Sequence, residues 1–221
     1  MKLLMNGLSK FLCGLVLMGV LLFLPAGTLR YPNGWLLLGL LFVPMLFLGV
    51  VLFLKAPDLL RKRLNHKEKE KTQKGVVGFS ALMFLVAFVV AGLDFRFGWS
   101  HMPGWVVAVA AVIQLAAYGM YAEVMRENAY LSRTVEVQEG QKVVDTGLYG
   151  VVRHPMYSAT IALFLAMAVV LGSWFALIVM LSYPAAIVLR IRNEEQVLEE
   201  GLPGYSDYKQ RVKYRLIPYI W

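Results

Sequence analysis

Charge is what this sequence has least of. Only 16% of its residues are Asp, Glu, Lys or Arg, where a soluble domain carries about a quarter. The deficit falls in long charge-free runs, as expected where lipid replaces water as the solvent. Cysteine is nearly absent as well: Cys13 alone excludes an intrachain disulfide framework and a thiolate metal cluster. Its apolar surroundings suit a packed, inert thiol. The three histidines, His66, His101 and His154, are widely separated and form no H-E-x-x-H pattern, so no metal site is expected. No G-x-G-x-x-G follows a predicted strand, and no repeat or low-complexity tract occurs.

What is present is hydrocarbon. The chain has 221 residues, 59% of them hydrophobic, and a mean hydropathy of +0.62. This predicts an all-α, polytopic integral membrane protein that uses the whole length as one compact unit. The net charge of +8 does not point to nucleic acid. The basic residues flank apolar segments and so face the headgroups of membrane lipids.

Four spans are predicted from the apolar runs Leu8–Ala26, Gly34–Leu54, Gly75–Leu93 and Phe97–Ala122. The first resembles a secretory leader, but its apolar part is long and no A-x-A site follows, so a retained helix is expected. Pro103 would stand near the start of the fourth, with Trp99 and Trp105 at interfacial depth. From His154 to Leu189 no residue but His154 carries an acidic or basic side chain. That run exceeds one span, and Leu171-Gly172-Ser173-Trp174 offers a turn at its centre. A hairpin of helices over 156–171 and 174–191 is therefore predicted, with Pro184 bending the second. The total is about six helical segments.

An even number of spans puts both termini on one side. Of the 22 Lys and Arg residues, all but Arg30 and Arg96 then fall on that side, which the positive-inside rule makes cytoplasmic. Lys55–Lys74 reads as a basic loop whose first part, with Leu59, Leu60 and Leu64, has the pattern of a surface-lying helix. Glu123, Arg126, Glu127 and Arg133 are spaced for local pairing as the fourth helix leaves the membrane.

Polar information is densest after residue 145. Arg153-His154-Pro155 stands where a membrane helix begins. A guanidinium there can bind a carboxylate or phosphate, or anchor the helix to headgroups. His154 can exchange a proton or cap backbone groups. Pro155 suits a first helical turn. Tyr149 and Tyr157 flank the triplet and can meet a cation or anchor the interface. Across the hairpin, Glu194 and Glu195 follow Arg190 and Arg192, and Arg190–Glu194 is spaced for an i,i+4 pair. "GLPGY" breaks that helix, and "RLIPYIW" returns toward the membrane.

In order, "GLYGVVRHPMY" at 147–157, an apolar hairpin and "RIRNEEQVLEEGLPGYSDYKQRVKYRLIP" at 190–218 resemble the membrane methyltransferases related to isoprenylcysteine carboxyl methyltransferase and phospholipid methyltransferase. The resemblance divides the chain into residues 1–140, four transmembrane helices with cytoplasmic loops, and 141–221, a catalytic region. It implies S-adenosyl-L-methionine as methyl donor in a non-Rossmann cofactor site formed by Tyr149, His154, Pro155 and Tyr157 and closed by Glu194 and Glu195. Arg153 and Arg190, or Arg192 in place of Arg190, would hold an acidic acceptor. The implied reaction is carboxyl O-methylation of an isoprenylcysteine-like, prenylated or other lipophilic substrate at the cytoplasmic face. No obligate protein partner is inferred. A phospholipid or small-lipophile methyltransferase, an NADPH-dependent membrane lipid reductase and a transporter or scaffold are the other readings.

Overall fold

The computed structural model describes residues 2–64, 71–132 and 134–221. His66, Lys67, Lys69 and Arg133, which enter the basic loops above, lie outside the described residues. Among the described residues the chain is helical and has no strand. Among the described residues, five stretches are long and apolar enough to span a bilayer, and a shorter apolar helix joins them. The protein is therefore a polytopic integral membrane protein, as its composition requires.

Helix α1 (Lys2–Ala26) ends at Gly27, whose φ of +69° turns the chain into α2 (Pro32–Lys55). Helix α3 (Pro57–Leu64) is the short polar helix expected at the head of the basic loop, with Leu59 buried. Helix α4 (Lys71–Phe97) packs against α1, and Gly92 sets how closely. A Cβ at Gly92 would lie 2.6 Å from the Leu22 carbonyl oxygen, so the two backbones touch there as small residues allow in membrane bundles.

The fourth span differs in its boundaries from the sequence expectation. Gly98, at φ +63°, closes α4, and α5 (Gly104–Glu127) begins only after Pro103. Phe97 is the last residue of α4, and Trp99 belongs to an interfacial connection, not to a helix start. Helix α5 lies along α6 (Pro155–Val170), which at 16 residues is about 24 Å long. That is short of the roughly 30 Å hydrocarbon core.

The predicted hairpin is present, and its second arm is broken. Helix α7 (Trp174–Met180) and α8 (Tyr183–Gly201) are separated at Leu181–Ser182, and Pro184 sits in the first turn of α8 where its missing N–H is harmless. The Ser182 amide and hydroxyl both donate to the Val179 carbonyl, at 3.2 and 2.7 Å, so the break leaves these groups paired within the protein. Helix α8 continues ten residues past the expected end, to Gly201. Gly204 (φ +83°) then leads into α9 (Tyr205–Arg211).

At the hairpin's turn, a polar knot closes the end of the bundle. Asp94, 2% exposed, accepts from the Ser100 amide at 2.7 Å, the Ser100 hydroxyl at 2.6 Å and the Ser173 hydroxyl. Tyr31 donates to the Leu171 carbonyl at 2.6 Å and stacks on Phe95. The polar cleft described next lies at the opposite end.

Candidate functional site

The cleft is assembled by the entrance to the hairpin, the exit of α8 and the tail that follows. Tail and entrance are joined through backbone: the Arg153 amide donates to the Tyr214 carbonyl and the His154 amide to that of Arg215, each at 2.9 Å. Arg153, buried, donates through Nε to Glu195 Oε1 at 2.7 Å and through a terminal nitrogen to the carbonyls of Val212 and Lys213 at 2.7 and 3.0 Å. His154 Nε2 lies 3.2 Å from the same Glu195 oxygen. Arg215 donates to the other oxygen at 2.9 Å. Glu195 thus stands among two guanidinium groups and an imidazole. A buried carboxylate is tolerated when its oxygens are paired and hydrogen-bonded in this way.

A second polar group stands one helical position away. The Tyr157 hydroxyl donates to Glu194 and accepts from Arg190 Nε at 2.8 Å. The Arg190 guanidinium also lies over the Tyr157 ring, 5.9 Å from its centre. Behind it, Gln73 of α4 donates to the Arg190 carbonyl at 3.2 Å and to Asn193 at 2.6 Å, fixing this turn of α8. His154 and Tyr157 stack, so the two groups share one wall.

Tyr149 completes the wall from the 3₁₀ turn Gly147–Gly150. Asn128 donates to its hydroxyl at 3.0 Å, and Tyr208 donates to its carbonyl at 2.8 Å. Burial pushes the Tyr149 hydroxyl up to about 12, against the Asn128 hydrogen bond, which acts the other way. Burial also raises Tyr205 and Tyr208 well above the usual tyrosine range. All three are therefore neutral hydrogen-bond donors at physiological pH.

Of the residues singled out in the sequence, Tyr149, Arg153, His154, Tyr157, Arg190 and Glu194 line one cleft. Pro155 is buried at the start of α6, and Glu195 faces the arginines behind the wall. The opposite wall, from Asn128 to Val144, was not anticipated. It is irregular and lacks the periodicity by which an element is recognised. Tyr205 entered the sequence reading only within the segment at 190–218. Its hydroxyl is buried and has no partner among the described residues, yet Tyr205 lines the cleft. The described residues hold no His/Cys/Asp/Glu cluster suited to a metal.

On this geometry the chain falls among membrane proteins with a polar cleft built on a short C-terminal helical hairpin. Residues 102–203 match the family model of phospholipid methyltransferase, slightly under half of the chain. Over 91 residues, 40% of its length, the chain is 32% identical to Delta(14)-sterol reductase TM7SF2 of Mus musculus. The match spans 22% of that protein.

The sterol-reductase likeness overturns the expected reaction. Neither S-adenosyl-L-methionine nor carboxyl O-methylation of an isoprenylcysteine-like substrate stands as the reading of this chain. The physical reason lies in what the motifs encode. Arg153, His154, Glu195 and the tail build a clasp that holds α8 to α6, and such a clasp does not itself distinguish a sulfonium donor from a hydride donor. What residues 102–203 share with phospholipid methyltransferases is a domain likeness over part of the chain.

Proposed function

We propose that the protein is an NADPH-dependent reductase of a lipophilic substrate carrying a carbon–carbon double bond, with the cleft and both termini on the cytoplasmic side. The likeness to a sterol reductase carries this reading. The cleft, of about 100 Å³, takes one part of the dinucleotide, and its wall offers groups suited to that part. Tyr205 offers a buried donor with no partner among the described residues. Asn128, Ser132, Thr134 and Gln141 offer further polar groups, and Lys142 offers charge for phosphate. The basic residues of the tail and of α3 gather at this same end, while Arg30 and Arg96 lie at the other, which supports the orientation.

When bound, NADPH supplies a hydride equivalent to one carbon of the double bond. The other carbon needs a proton, and Tyr157 holds one at its hydroxyl oxygen. Arg190, donating to that oxygen, stabilises the phenolate left when the proton departs. Glu194 accepts from the same hydroxyl, and a proton taken up from solvent at its carboxylate can pass back to the phenolate oxygen. His154 stacks against the Tyr157 ring and holds it in place. Tyr157 is itself buried, which keeps its hydroxyl from bulk water.

The test is isotopic. Purified protein in mixed lipid is offered a total lipid extract, including unsaturated sterols, with NADPH deuterated on its nicotinamide ring. S-adenosyl-L-methionine with a labelled methyl group is supplied in parallel. Deuterium is expected in a lipid product, and Tyr157→Phe should lower its rate about a hundredfold or more. Methyl label in the lipid with no deuterium would overturn the reductase reading.

A further inference from the structure

An apolar cavity of about 780 Å³ lies among α1, α2, α3 and α4, away from the polar cleft. Leu8, Leu17 and Val50, all on its wall, are themselves about half exposed, so it opens to the lipid. Its volume falls in the range of roughly 300–1,000 Å³ that encloses a single small molecule. Two cations, Lys10 and Arg63, interrupt the apolar wall, and no carboxylate lines it among the described residues. Lys10 donates to the Leu64 carbonyl at 2.6 Å. Arg63 donates to the Ser132 carbonyl at 3.2 Å, to the Tyr121 hydroxyl and to Met156 Sδ at 3.8 Å. Ser132 and Met156 also line the polar cleft. Arg63 therefore stands in the wall between the two spaces.

We infer that this cavity binds a single lipophile with an acidic head, its hydrocarbon body among α1, α2 and α4 and its head at Lys10 and Arg63. A wall that is apolar except for two cations at one end complements that chemistry, and with a neutral lipid no carboxylate among the described residues on that wall would face either cation. On the reductase reading, on which this step rests, the lipophile is the substrate. Its head at Arg63 brings the adjoining carbons to the border of the cleft.

The test is binding, read separately from reduction. A fluorescent polyene carboxylic acid of fatty-acid length and the corresponding alcohol are titrated into the protein in nanodiscs of neutral phosphatidylcholine. The acid should bind about tenfold more tightly. Lys10→Gln and Arg63→Gln should each erode that preference, and Lys10→Arg should keep it. Gly49 lies on the wall, and a Cβ there meets nothing within 4 Å. Gly49→Phe should therefore project a ring into the cavity without backbone strain and weaken binding of both probes. Equal affinity for acid and alcohol, or binding indifferent to Gly49→Phe, would overturn the inference. Acid-selective binding together with methyl label and no deuterium in the isotopic test would support the cavity's ligand and remove the reductase reading alone.

Discussion

At the scale of single residues, the site separates into a clasp and a working pair. Glu195 belongs to the clasp: its removal leaves Arg153 buried and without its counter-charge, while Arg153 keeps its two carbonyl acceptors. Breaking a buried pair from one side costs about 3–5 kcal/mol. Glu195→Ala is therefore expected to lower the thermal midpoint in detergent sharply. Tyr157→Phe removes hydrogen bonds in a partly polar cleft and should cost only about 1 kcal/mol, while lowering turnover as set out above. A Tyr157→Phe protein that melts as early as Glu195→Ala would put Tyr157 in the clasp. Much of this was legible in advance. Arg153, His154, Glu194 and Glu195 drew attention because charge inside an apolar chain needs a partner. Which glutamate met which arginine was not legible, since adjacent positions on a helix differ by about 100° in direction and only packing settles which one faces the cleft. Tyr205 stood in the segment that carries the resemblance but gave no sign of facing the cleft, because an unpaired hydroxyl is a property of its surroundings and not of its sequence position.

At the scale of elements, apolar length located the spans, and Gly and Pro located their ends. The Gly98 and Pro103 boundary shows where that reasoning slipped: aromatic residues at the interface have the same hydrophobicity as those inside the membrane, so Phe97 and Trp99 were counted into a helix they precede. Contacts between helices were not legible, because every face of a membrane helix is apolar and no stripe marks the buried one. Gly92 illustrates the consequence. It is one of several glycines in apolar helices, and only the fold shows that it meets α1. Gly92→Ala is expected to push α1 and α4 apart and to cost about 1–3 kcal/mol. Gly39→Ala, in open space on α2, should be neutral or slightly stabilising. Parallel melting curves in one detergent check the pair, and equal behaviour would show that the crossing tolerates the extra carbon. Asp94 is the other contact that sequence reading did not reach. As a carboxylate in the last turn of a span it has the look of an interfacial residue, yet it holds the Ser173 end of the hairpin. Asp94→Ala strands the Ser100 and Ser173 donors and should lower stability by about 1–3 kcal/mol without changing affinity for NADPH, a separation that melting and nucleotide titration together would verify.

At the scale of the whole molecule, the two ends carry different chemistry, and the proposed reaction depends on which end faces the cytoplasm. The clasp, the cleft, α3 and the tail share one end, and the Asp94 knot closes the other. A reductase drawing on the cytoplasmic NADPH pool needs the first of these inside. The single native cysteine makes this measurable: with Cys13→Ser as background, one new cysteine can be introduced at Asp207 in α9 and another at Thr28 beyond α1. A membrane-impermeant maleimide should label Asp207→Cys only in inside-out vesicles and Thr28→Cys only in right-side-out ones. The reverse pattern would put the cleft on the far side from the nucleotide pool. NADPH would then fail as hydride donor however well it bound the purified protein, so orientation and donor stand or fall together.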